Sequence, residues 1–145
     1  MAVVFNADGL VLGRLSSHIA KRLRQGEEIV VINADKAVVS GRRAQLLEFY
    51  KHRMTRGESQ SKAKGPNYPR TSDQILKRTV RGMVEYKKPS GRAALKRLTV
   101  YIGVPKEYKA SKYETFEEAR KSHLEKYLLL GDISKEMGSK RELKL

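Results

Sequence analysis

The sequence predicts an α/β layered fold built on a mostly parallel sheet. Three observations carry that prediction. Short β-branched runs alternate with stretches of helical spacing. One run, IVVIN (Ile29 to Asn33), is apolar without alternation, as a strand covered on both faces is. A second, LTVYIG (Leu98 to Gly103), is closed by Val104-Pro105.

The elements follow in order. VVF (Val3 to Phe5) is a short strand, and NADG (Asn6 to Gly9) is a turn marked by Asp-Gly. Leu12, Leu15, Ile19 and Leu23 then recur at spacings of three and four, which predicts a helix ended by Gly26. Its other face carries Arg14, His18, Lys21, Arg22 and Arg24. After IVVIN, KAVVSG is a further short strand broken at Ser40-Gly41. Residues 42–53 are helical, with Leu46, Leu47, Phe49 and Tyr50 as core candidates. MTRGESQSKAKGPNYPR (Met54 to Arg70) lacks periodicity and reads as a basic loop, of a length that is usually functional or disordered. Ser72 is expected to cap a helix with Leu76, Val80 and Met83 inside and Lys77, Arg78 and Arg81 outside. Pro89 opens a short helix through Leu95.

The tail, 114–145, reads as a helical extension. Thr115 with Glu118 fits a capping box, and Glu117 with Lys121 fits an i, i+4 ion pair. Leu124, Tyr127 and Leu128 form an apolar stripe, Gly131 is the expected stop, and DISKEMG adds one turn. The 145 residues are expected to form one domain, with no long internal repeat.

Composition narrows the function. The net charge is +15, with 32% of residues charged and no cysteine, so disulfides, thiolate metal sites and a catalytic thiol are excluded. Residues 42–97 hold 16 Lys or Arg against 4 acids, while the other 89 hold 15 against 12. A mixed solvated face would need the missing acids, so this middle third points to a polyanion, and to nucleic acid in particular. MAVVFNADGL has no basic leader region, and IVVI and YLLL are far short of the ~20 residues of a membrane span. The expectation is a soluble intracellular protein.

Catalytic patterns are weak. G-x-G-x-x-G is absent, and GLVLGRLS (Gly9 to Ser16) misses a phosphate-cradling loop in glycine spacing, in Arg14 for Lys and in the place of Ser16. His18, His52 and His123 are scattered, and solvated or RNA-facing histidines are expected rather than ligands. Asp8 and Asp35 sit beside turns and suit local capping. No Ser/His/Asp set is identifiable.

One constellation remains. Gly13-Arg14, Gly41-Arg42 and Gly91-Arg92 each fall at a predicted helix entrance. Free N–H groups beside an Arg suit a phosphate there, although a simple turn with a solvated Arg fits equally well. Tyr50, Tyr68 and Tyr86 interleave with the basic residues; Tyr50 suits the core, while Tyr68, between Pro66 and Pro69, is the best base-stacking candidate.

Three segments resemble a known family along nearly the whole chain. They are LGRLSSHIAKRLRQGE (Leu12 to Glu27), VVINADKAVVSG (Val30 to Gly41) and RTVRGMVEYKKPSGRAALKRLTVYIGVP (Arg78 to Pro105). The family is that of the large-subunit ribosomal protein numbered thirteen, and GDISKEMGSK is similar to its archaeal form. The resemblance implies a three-layer α/β/α fold around a four-stranded, mainly parallel sheet. It implies a non-catalytic structural protein of the large ribosomal subunit in the cytoplasm, held on 23S rRNA among neighbouring ribosomal proteins, without cofactor, metal, small-molecule substrate or membrane. From its motifs come Arg14, Lys21, Arg42, Arg78, Arg81, Lys87, Lys88, Arg92 and Lys96 as rRNA contacts. The basic third adds Arg43, Arg56, Lys62, Lys64, Tyr68, Arg70 and Lys77. The other reading of the charge is a general, chromatin-type nucleic-acid-binding protein.

Overall fold

The computed structural model describes residues 1–56 and 65–140. Strand β1 (Val3–Asn6) leads into helix α1 (Leu12–Arg24) and returns as β2 (Ile29–Ile32), parallel to β1. The sheet order is β1-β2-β4, with β4 (Leu98–Val100) also parallel to β2. All four β2 residues are buried, which explains why IVVI shows no alternation: a central strand has no solvent face.

Register sorts the side chains into two sets. Phe5, Val31, Ile29 and Leu98 face helices α1, α3 (Ser72–Met83) and α4 (Pro89–Lys96), where Leu15, Ile19, Leu23, Leu76, Val80 and Ala94 complete the main core. Val4, Val30 and Ile32 face the other way, under Tyr101, Val104, Tyr108 and Tyr113. An irregular segment with a 3-10 turn at Lys106–Tyr108 covers that second face where the resemblance implies a helical layer.

The fourth strand is also different. β3 (Val38–Ser40) lies outside the parallel sheet and pairs antiparallel with β5 (Tyr127–Leu129). The cause is local: Asn33 takes a left-handed φ of 56°, and the 3-10 turn Ala34–Lys36 then swings the chain away from β2. Val38 N–H donates instead to the Leu10 carbonyl, at 2.9 Å.

The tail corrects the expected helical extension. The Thr115–Glu118 box does not cap a helix; a 3-10 turn, Glu117–Ala119, stands there. Glu117 pairs with Arg120 at 2.8 Å rather than with Lys121. Tyr127 and Leu128 belong to β5, and Gly131 lies inside α5 (Leu130–Glu136) instead of ending a helix. Its lack of a Cβ matters, since one would stand 3.0 Å from the Asp35 carbonyl oxygen. The segment wraps the domain: Glu114 exchanges backbone hydrogen bonds with Val4 and Asn6 along the outer edge of β1, and Phe116 stacks on Phe5 at 4.6 Å.

Helix α2 (Arg43–Thr55) packs on α5 and β5, and none of its residues is fully buried. Leu46, Leu47 and Tyr50 are half-buried, while Phe49 is 51% exposed and is not core. In α3, Ile75 is buried where Met83, at 41% exposure, was expected. Thr71, not Ser72, is the N-cap residue of α3.

Candidate nucleic-acid interface

Helix α3 points Ile75, Leu76 and Val80 inward against α1, so the 3.6-residue period leaves Lys77 and Arg81 exposed. The turn after it is tight. Lys88 N–H donates to the Glu85 carbonyl at 2.9 Å, and α4 starts at Pro89, whose missing N–H is no loss at that position. Gly91 makes the closest approach: a Cβ there would stand 2.0 Å from the Glu85 carbonyl oxygen. That contact fixes Lys87, Lys88 and Arg92 relative to α3.

Few of these cations are neutralised. Lys88 Nζ lies 2.6 Å from the Glu85 carboxylate, and that hydrogen bond holds the Glu85 carboxyl below its ordinary range. Arg92 Nε donates to the Tyr86 carbonyl at 3.2 Å. Among the described residues, Lys77, Arg81, Lys87 and Lys96 have no carboxylate partner.

The fold gathers part of this set around one groove. Asn67, Tyr68, Pro69, Gln74, Lys77, Arg78, Arg81 and Leu95 line about 430 Å³. Arg78 donates to the Asn67 carbonyl at 3.0 Å and holds its guanidinium 4.5 Å from the Tyr68 ring centroid. Arg81 sits 4.2 Å over Tyr86. Such cation–π contacts hold long side chains in place and so lower the entropy lost when an anion binds.

A second groove is separate. It is lined by Gly41, Arg42, Arg43, Glu125, Lys126 and Tyr127. Arg43 is partly committed to the fold, since its guanidinium meets Glu136 at 3.0 Å. Arg14 and Lys21 border neither groove; both are exposed on α1, and Arg14 Nη1 reaches the Glu118 carbonyl at 3.5 Å. Arg56 and Arg70 are exposed at the two ends of the 54–70 loop. Lys62 and Lys64 lie outside the described residues.

The three Gly-Arg pairs do fall at helix entrances: Gly13-Arg14 in α1, Gly41-Arg42 before α2, Gly91-Arg92 in α4. None of these helices has an acid in its first turn or a side-chain cap, so their end N–H groups keep a net positive field. Gly41, at φ 134°, takes a conformation that side chains avoid.

Sequence reasoning missed Arg53, whose guanidinium lies 4.3 Å over Phe49 and 5.8 Å from the Tyr68 centroid. The i, i+4 spacing of Phe49 and Arg53 on one helix was the available signal. Lys126, beside Arg42, carried no signal because only the β3–β5 pairing brings it there. His18 is half-buried; it stacks on Phe116 at 4.5 Å, with Glu118 3.6 Å away. Among the described residues, no group of three His, Asp or Glu could hold a metal, and no helix is long and apolar enough to cross a membrane.

A family model described as ribosomal protein L13 matches residues 1–107. The chain belongs to the ribosomal protein L13 family. Curated members agree along almost the full length. The chain is 44% identical over 141 residues to the large ribosomal subunit protein uL13 of Methanosphaera stadtmanae, covering 97% of this chain and 99% of that protein. It is 48% identical to the uL13 of Methanosarcina barkeri, over 94% and 98% of the two chains. With the uL13 of Archaeoglobus fulgidus it shares 47% identity, over 93% and 86%. The family model ends just after Pro105, whereas the archaeal relatives also match the wrapping segment that follows.

Proposed function

We propose that this chain is a non-catalytic structural constituent of the large ribosomal subunit, a single domain over residues 1–145 that binds folded 23S-type rRNA. Family membership supports the assignment, together with archaeal relatives named as large-subunit proteins. The observation that carries the mechanism is the set of uncompensated cations on α3, α4 and their turn, fixed by Gly91 and by stacking on Tyr68 and Tyr86. Lys77, Arg78, Arg81, Lys87, Arg92 and Lys96 neutralise phosphates there and release counterions. Arg42, Arg43, Arg56 and Arg70 extend the contact on the α2 side, and Arg14 and Lys21 on α1; Lys62 and Lys64 belong to the same proposed set of contacts, and Lys88 contributes less because Glu85 offsets it. Recognition rests on phosphate placement and shape, and binding only the folded RNA shifts its equilibrium toward the assembled form. The site of action is the cytoplasmic ribosome, beside other large-subunit proteins, with no cofactor or small-molecule substrate.

The double substitution Arg78→Gln with Arg81→Gln tests this surface. Binding to large-subunit rRNA is expected to weaken about tenfold or more at low salt, and the log–log salt slope to fall by about 1.5. Circular dichroism should show the domain still folded. Unchanged affinity across the salt series would remove this surface from the interface. Equal binding of duplex DNA and rRNA by the parent chain would favour a general nucleic-acid-binding protein instead.

A further inference from the structure

Behind the outer groove lies a second, more enclosed cavity of about 270 Å³, between α2, residues 68–69, α3 and Met137 at the end of α5. Tyr50, Arg53, Tyr68, Ile75, Arg78 and Met137 are among its walls, and no carboxylate lines it. Tyr68 and Arg78 border both this cavity and the outer groove, so the two spaces share a wall. Two guanidiniums therefore flank two aromatic rings and an apolar floor, next to a surface of unpaired cations.

We propose that this cavity takes one unpaired nucleobase of the bound RNA, with the base against Tyr50 and Tyr68 and its phosphate on Arg53 and Arg78. The inference rests on the RNA-binding reading and names a place within it. The volume admits a planar heterocycle with part of its sugar and excludes a folded element, and rings beside cations are what a splayed base stacks on. Burial pushes the Tyr50 hydroxyl up, so it stays neutral, and it makes no hydrogen bond among the described residues, leaving a donor and an acceptor for a base edge. An apolar side chain of a protein partner fits less well, because it would cover Arg53 and Arg78 without supplying an anion.

The test uses the full chain with labelled Met and Ile methyl groups, read by nuclear magnetic resonance. Met54, Ile75 and Met137 line the cavity and report on it. Adenosine 5′-monophosphate should move these methyl signals upfield and saturably, while ribose 5-phosphate at equal ionic strength should not. Tyr68→Ala should weaken the nucleotide response about tenfold, whereas Tyr68→Phe should keep it and show that the fold is intact. Equal responses to ribose 5-phosphate would leave a phosphate site and no base pocket. A stronger response to N-acetylleucine amide would assign the cavity to a protein partner, and no response to any probe would also overturn the proposal. In each of those three cases, salt-dependent binding of rRNA by the same chain would still stand, so the failure of the pocket is distinguishable from failure of the proposed function.

Discussion

Two regions of this molecule use charge in opposite ways. The wrapping segment after Lys106 carries both signs, and several of its acids are spent on the rest of the fold: Glu114 meets Arg22 at 3.0 Å, Glu118 faces His18, and Glu136 reaches Arg43 and Lys51. The α3–α4 stretch, residues 72–97, holds eight Lys or Arg against two acids, and most of its cations face solvent. One region holds the domain closed and the other is left unsatisfied. Charge that closes the fold and charge left open to solvent thus occupy separate parts of the surface. A cation without a carboxylate partner contributes little to folding and remains available to a phosphate.

Substitutions can break that separation or sharpen it. Gly91→Ala should have the largest effect, because its Cβ would meet backbone at the Glu85 carbonyl and nothing flexible can move aside. A loss of about 3 kcal/mol or more is expected in chemical denaturation, with RNA binding falling alongside as the α3–α4 turn shifts. Phe116→Ala comes next. It removes the ring that stacks on Phe5 and His18, at a cost of about 2–3 kcal/mol for a half-buried side chain. Its rRNA affinity per folded molecule should stay unchanged, which would sharpen the contrast; an affinity loss would place the wrapping segment in the interface. The pair Lys77→Gln and Lys87→Gln should do the reverse. Unfolding free energy should move by less than about 0.5 kcal/mol, while the salt slope of RNA binding drops by about 1.5. Glu136→Gln should have the smallest effect, below about 1 kcal/mol by thermal unfolding, since its partners are exposed cations.

Much of the fold was legible because the period of the apolar residues matched the final element. Leu12, Leu15, Ile19 and Leu23 line one side of α1, and IVVI became the buried central strand. The tail was not legible for a physical reason. YLLL is too short to show a period, and four apolar residues in a row suit a strand or a helix equally. Its fate was decided by Val38–Ser40, nearly ninety residues earlier, which β5 pairs with. Gly131 was read as a stop, yet its smallness serves the close approach of α5 to Asp35. The basic surface itself was visible as missing acids. The meeting of Tyr50, Arg53, Tyr68 and Arg78 around one cavity was not, because it depends on α2, α3 and residues 68–69 converging.

The most direct test of the account is where the protein travels in its source cell. A lysate would be sedimented on a density gradient and each fraction probed for this chain, then again after magnesium is stripped to separate the subunits. Near-complete comigration with the large subunit is expected in both runs. Recovery mainly at the top of the gradient would contradict it.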